Sequence, residues 1–432
     1  MLRRHADGPV SSRRLALRAA LGLLAGAAGS AGAAEPDSHQ RLRQFMQQLR
    51  PQPLAGQAGE QAVREAEATP PERLQARAVL LRKGESALAR LDVAGALEAF
   101  ERAALILHAA DTEIALVRGH MQAGDYRRAL AFGAHTAGAH LDVIGGTLLY
   151  AWLLHLGGQG AIAQRLLREA DIRLPGHPMA YAVQQQLRSG LPVASGPLLA
   201  LPMRLAPYGS RNNLPDTARV VGSAVLLPGG RAALLPLTMP PASGRLWLRN
   251  GLGQLVGAEV AKKFGPLGVA LVRLHRPLPV ADDLVLATSD AFPGSPGFAV
   301  DYAAQPDAAP AWPALHTGFL GSASGDSGER MLGIGLPAGP RGGPVFDASG
   351  RLIGLALAAR PGQGGDRLVP ASQLRKVLGA SWPAPPAQTQ AETTATATAT
   401  ATAFAAGAKP RASVDAVYEA SLKTSLQVIA VA

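Results

Sequence analysis

Two glycine-rich stretches of the 432-residue chain hold the side chains that could do chemistry. In Gly325-Asp326-Ser327-Gly328 a serine sits in a turn-like sequence, with His316 eleven residues before it. A serine hydroxyl attacks a carbonyl only when a base takes its proton, a third group orients that base and backbone donors receive the oxyanion. After residue 190 the only imidazoles are His275 and His316, so possible bases are few. The second stretch, Gly339-Pro340-Arg341-Gly342-Gly343-Pro344, presents a guanidinium, which stays protonated and cannot be a nucleophile. Cysteine is absent, which removes disulfides, thiolate metal sites and cysteine nucleophiles together. The remaining chemically capable group is His108, His120, His135, His140, His155 and His177, spaced 12, 15, 5, 15 and 22 residues apart. None of these spacings is the i,i+4 pair of a helical zinc site, so they read as solvated or packing histidines, and no metal or cofactor is expected.

The elements that must position these groups begin after an export signal. Arg3, Arg4, Arg13 and Arg14, an apolar stretch from Ala19 to Ala28, and Ala31-Gly32-Ala33 form a signal peptide over residues 1–33. Ser12-Arg13-Arg14-Leu15-Ala16-Leu17-Arg18 resembles a twin-arginine signal, with Ala16 where a larger apolar residue is usual, so the general secretory route stays open. About 20 apolar residues are needed to cross a bilayer, and Arg18 interrupts the only candidate, so this is not a spanning helix. The protein is therefore expected in the periplasm or secreted. The net charge of +11 is spread without a basic run or interleaved aromatics, which argues against a nucleic-acid partner.

Residues 34–70 read as a linker with short helices, and residues 71–190 as helices throughout. Leu91-Asp92-Val93-Ala94-Gly95-Ala96-Leu97 realigns with Gly124-Asp125-Tyr126-Arg127-Arg128-Ala129-Leu130 and with Gly158-Gln159-Gly160-Ala161-Ile162-Ala163-Gln164, at steps of 33 and 34 residues. This period, with a small residue at Ala96, Ala129 and Ala163, resembles tetratricopeptide repeats. Phe100, Ala103, Phe132 and Leu167 are expected to pack the second helix of each pair. Such a stack implies a concave groove for a protein or peptide partner, against the alternative of a plain helical spacer.

From 195 to 382 the pattern changes to short Val/Leu runs between Gly, Pro, Asn and Asp, the texture of an all-β sandwich or barrel pair. Residues 383–411, with four consecutive Ala-Thr dipeptides, read as a disordered linker. Over 412–432, Val414, Val417, Tyr418, Leu422, Leu426 and Ile429 recur at helical spacing behind Ser413 as N-cap, predicting an amphipathic helix. Such a helix either docks as a tethered peptide or packs on the β domain.

The run from Gly339 through Val345-Phe346-Asp347-Ala348-Ser349-Gly350 to Leu355 resembles the nucleophile loop and following hairpin of trypsin-like serine proteases, especially the periplasmic heat-shock proteases. The resemblance puts the nucleophile position at Arg341. Val221-Gly222-Ser223-Ala224-Val225-Leu226-Leu227 resembles the family's first strand, which places the catalytic histidine at about Leu237. Gly268-Val269-Ala270-Leu271-Val272-Arg273-Leu274 resembles the strand whose first residue is the catalytic aspartate, here Gly268. All three triad positions are thus replaced. Gly339, Arg341 and Gly342 become candidate binding residues, with Arg341 either filling the old mouth, binding a carboxylate, or pointing to solvent. Ser327 is the weak nucleophile candidate: Glu329-Arg330 follows it where the family needs Gly-Pro, and its surroundings are those of a surface turn. The expectation is an exported, non-catalytic binding or assembly protein: a tetratricopeptide-like stack followed by a trypsin-like double barrel. The alternative is a divergent endopeptidase of the cell envelope.

Overall fold

The computed structural model describes residues 65, 67–190, 193, 196–210, 214–239, 246–282, 284–324, 329–337, 339–360, 364–379 and 411–431. The expected export signal, most of the 34–70 linker, Ser327 and nearly all of the 383–411 linker lie outside them. The helical region is seven helices: α1 (Pro71–Ala89), α2 (Val93–Ala104), α3 (Ala110–Ala123), α4 (Tyr126–Ala139), α5 (Ile144–Leu156), α6 (Gly160–Arg173) and α7 (Pro178–Ser189). Each packs on its predecessor as a stack of hairpins. Ala96, Ala129 and Ala163 are each fully buried, because only a small side chain lets neighbouring helices approach this closely. Phe100 lies against Gly84 of α1, where a methyl group would collide with its ring. Asp92 caps α2 by accepting the Gly95 N–H at 3.0 Å, and Gly124 ends α3 in the left-handed conformation at φ 83°. Arg118 of α3 is ion-paired to Glu85 of α1, joining the first and third helices.

The β region forms two closed, six-stranded antiparallel barrels. Barrel 1 contains β1 (Ala218–Leu226), β2 (Ala232–Pro236), β3 (Leu246–Asn250), β4 (Leu255–Phe264) and β5 (Val269–Leu274). Barrel 2 contains β6 (Pro296–Asp301), β7 (Ala314–Ser324), β8 (Glu329–Gly333), β9 (Pro344–Asp347), β10 (Leu352–Leu357) and β11 (Arg367–Pro370), followed by α8 (Ala371–Leu378). Alternate residues point inward: Ala224, Leu226, Leu246, Leu248 and Val272 fill the first barrel, and Ala299, Leu320, Leu332, Val345 and Ile353 the second. The β9–β10 hairpin is made by turn chemistry, since the Asp347 carboxylate accepts the N–H groups of Ser349 at 2.9 Å and Arg351 at 3.0 Å. Gly350 supplies the positive φ of 74° that this turn needs.

The sixth strand of barrel 1 comes from the far end of the described chain. Helix α9 (Val414–Thr424), capped by Ser413, leads into β12 (Ser425–Val431), which pairs with both β1 and β3 and closes the barrel. Here the structure departs from the helix expected over 412–432: the helix stops at Thr424. The physical reason is that two strand edges await a partner, and Leu426, Val428 and Ala430 alternate as a strand inside the barrel. Nor is α9 a free peptide. It lies wedged between α4 and both barrels, with Arg127 pairing Glu419 at 2.7 Å and Gln159 donating to Asp415 at 2.9 Å. Among the described residues, no helix is long and apolar enough to cross a membrane.

Candidate functional site

The positions singled out by the nucleophile-loop pattern converge between the barrels. Strands β2 and β5 pair through Pro236 and Val269, which brings the residue after the one beside the residue before the other. The Leu237 N–H donates to the Gly268 carbonyl at 2.8 Å. Gly268 sits at φ 70°, a left-handed turn that favours glycine. The loop before β9 arrives from barrel 2, with Gly342 pressed on the Ser223 carbonyl and the Pro236 ring so closely that a Cβ has no room. The Ser223 N–H points back to the Arg341 carbonyl at 3.4 Å. What meets at this point is the backbone of Leu237 and Gly268 and, through Gly342, Ser223 and Pro236, that of the Arg341 loop.

Arg341 does not point to solvent. Its side chain is 11% exposed, its Nε donates to Asp366 at 2.7 Å, and one terminal nitrogen donates to the carbonyls of Pro337 at 2.7 Å and Gly339 at 3.0 Å. The carboxylate that a guanidinium at this place would seek is thus supplied from within the chain.

Beneath the loop lies a pair that sequence reasoning missed. Asp301, at the end of β6, accepts the Gly343 N–H at 2.8 Å, and the Ser223 hydroxyl accepts the Tyr302 N–H at 2.7 Å. Burial pushes the Asp301 carboxyl up to about 6, against the opposing pull of the Ser223 and Gly343 hydrogen bonds and of Arg341. Ser223 is wholly buried and cannot meet a substrate, so this is a tie between barrels rather than a nucleophile and base. His316 on β7 is pushed down to about 4, chiefly by burial and then by His155 and Arg341, so it is neutral near pH 7. His275 is exposed at the opposite end of β5 from Gly268, roughly 20 Å away at strand rise. Among the described residues, neither His275 nor His316 is hydrogen-bonded to a hydroxyl. Ser324 and Glu329 pair across the β7–β8 hairpin, and Ser327 between them lies outside the described residues.

The helix stack carries a second constellation. Three of its histidines behave as the sequence suggests: His120 stacks on Phe132, His177 caps α7 by accepting the Met179 N–H at 3.2 Å, and His155 is partly buried beside Trp152. The other three do not merely pack, and here the sequence expectation needs correcting. His108 before α3, His135 on α4 and His140 at the end of α4 converge on Glu113 in the first turn of α3. Their Nε2 atoms lie 2.6 Å, 3.3 Å and 3.4 Å from its carboxylate oxygens. Glu113 is 1% exposed, and burial alone would push its carboxyl up. The His108 hydrogen bond and the nearby imidazoles of His135 and His140 outweigh that and hold it well below the usual carboxylate range. Donor atoms of His108, Glu113 and His140 all lie within 4.8 Å of one another, a group that could hold a metal ion.

No family model and no curated sequence matches the chain. Among solved structures, the chain is similar to a protease from M. tuberculosis in its active form, with 16% identity over 37% of this chain and 79% of that one, TM-score 0.30. It is also similar to the MamO protease domain from Magnetospirillum magneticum, with 18% identity, 39% and 99% coverage and TM-score 0.29. A third is the serine endoprotease from Yersinia pestis, with 11% identity, 38% and 61% coverage and TM-score 0.29.

Proposed function

We propose that this chain is a non-catalytic binding or assembly protein of the cell envelope, in which a trypsin-like double barrel serves as scaffold and the tetratricopeptide-like stack receives a protein partner. The observation that carries this reading is the Leu237 N–H to Gly268 carbonyl bond at 2.8 Å, beside the Arg341 loop. An acyl-transfer site needs an imidazole, a carboxylate and a hydroxyl at that meeting point. Leucine, glycine and arginine can neither take a proton from a nucleophile nor supply one, and Arg341 is already held by Asp366. Of the candidate binding residues Gly339 is the exposed one and the part of the loop open to a partner, whereas Gly342 is buried against Ser223 and the Arg341 carbonyl accepts the Ser223 N–H.

The test uses the mature full-length protein, incubated with a fluorophosphonate probe and, separately, with unfolded casein. The expected result is neither labelling nor cleavage. Labelling that disappears in Ser327→Ala would establish the divergent endopeptidase instead.

A further inference from the structure

We propose that His108, Glu113 and His140, with His135 beside the carboxylate, form a binding site for a divalent transition-metal ion, with Zn²⁺ the ion best matched to the donors. The three donors come from α3, the end of α4 and the loop between helix pairs, so the fold rather than local sequence brings them together. Zinc bound at 2.0–2.1 Å to nitrogen and oxygen has ligand atoms about 3.3 Å apart along each tetrahedral edge. His140 Nε2 stands 3.4 Å from Glu113 Oε2, already at about that spacing, and His135 Nε2 stands 3.3 Å from Oε1. The His108 to Glu113 contact at 2.6 Å opens by well under 1 Å to match it.

Charge and burial point the same way. A carboxylate with 1% exposure is costly unless it is neutralised, and among the described residues its ion-pair partners are imidazoles, not lysine or arginine. Glu113 Oε2 and His140 Nε2 are buried, and neither has a hydrogen bond of good geometry. A dication between them would satisfy both. Imidazole nitrogens with one carboxylate suit Zn²⁺, whereas Ca²⁺ and Mg²⁺ require mostly oxygen. His108 is 36% exposed and gives the ion its way in. Held by His108, Glu113 and His140, the ion would tie the loop entering α3 to the end of α4.

The experiment uses tag-free full-length protein stripped of metal by a chelator, titrated with Co²⁺ to read visible absorption and with Zn²⁺ against a chromophoric chelator. One equivalent of each is expected, with the strong visible bands of four-coordinate Co²⁺. His108→Ala, at the accessible edge of the cluster, and Glu113→Gln should each weaken Zn²⁺ binding at least about tenfold, the loss that even an outer-shell partner brings. His177→Ala should bind as the parent does. Zn²⁺ should raise the melting temperature of the parent and not of Glu113→Gln. Absence of stoichiometric binding in the parent overturns the proposal, as does binding that survives His108→Ala and Glu113→Gln unchanged. Circular dichroism of each variant separates lost ligation from lost folding, and His108→Ala decides if the buried substitution does not fold.

Discussion

Tyr126 of α4 and Tyr418 of α9 meet edge to face with ring centroids 4.4 Å apart, both fully buried. Each hydroxyl donates to a different element: Tyr126 to the Leu153 carbonyl and Tyr418 to the Pro313 carbonyl, both at 2.9 Å. One ring contact therefore links the helix stack to the segment entering β7 within barrel 2. Offset and edge-on aromatic pairs contribute about 0.5–1.5 kcal/mol beyond their area, which makes this a stabilising joint rather than a hinge.

Tyr418→Phe keeps the ring and loses one buried hydrogen bond, at a cost of about 1 kcal/mol. Tyr418→Ala also empties the space the ring fills, for about 3–5 kcal/mol. Urea denaturation of the two variants should give midpoints in that order. Equal losses would mean that the hydroxyl, not the ring, carries the joint.

Val428→Asp places a carboxylate inside barrel 1, where Val428 has no exposure. An unpaired buried charge costs several kcal/mol, enough to release β12 from β1 and β3. Hydrogen exchange should then show lost protection across Ala218–Leu226 and Leu246–Asn250, with α3 to α5 still protected. Protection retained in β1 would contradict the pairing.

The raised pKa of Asp301, about 6 against 3.8, gives a pH dependence of defined sign. Between those values the folded state holds more protons than the unfolded state, so this group's contribution is full below pH 3.8 and is lost as pH rises through 6. The loss is about 3 kcal/mol at 1.36 kcal/mol per unit. Asp301→Asn keeps an acceptor for the Gly343 N–H and removes the charge. Its melting temperature should exceed the parent's at pH 8 and match it at pH 4; a constant difference at both would rule out the titration.

Arg341→Ser puts a hydroxyl in the loop before β9 without supplying a base beside it. No hydrolysis and no fluorophosphonate labelling are expected, and stability should fall by about 1–3 kcal/mol because Asp366 loses its charged donor. Labelling of this variant would reveal a base that Leu237 and Gly268 do not provide.

How far these features could be read from sequence depends on how local their causes are. The β9–β10 hairpin was legible because Asp347 and Gly350 make the turn within five residues of one another. The small residues at Ala96, Ala129 and Ala163 were legible because helix crossing repeats with the sequence period. Strand β12 was not, since Leu422, Leu426 and Ile429 fit a helical period while Leu426, Val428 and Ala430 fit a strand period, and only the open edges of β1 and β3 choose between them. The cluster on Glu113 escaped because its donors lie on different turns: the five-residue steps from His108 to Glu113 and from His135 to His140 become neighbours only once α3 packs on α4. The Ser223 and Asp301 tie escaped likewise, joining strands from separate barrels.

The placement of β12 has a consequence for the order in which the molecule is made. Leu426 emerges from the ribosome 176 residues after Asn250, its partner on β3. At about 5–20 residues per second, translation leaves those edges waiting for roughly 10–35 s. During that interval the nascent first barrel presents two unsatisfied strand borders to any chaperone or neighbouring chain, and it seals only after barrel 2 has been synthesised.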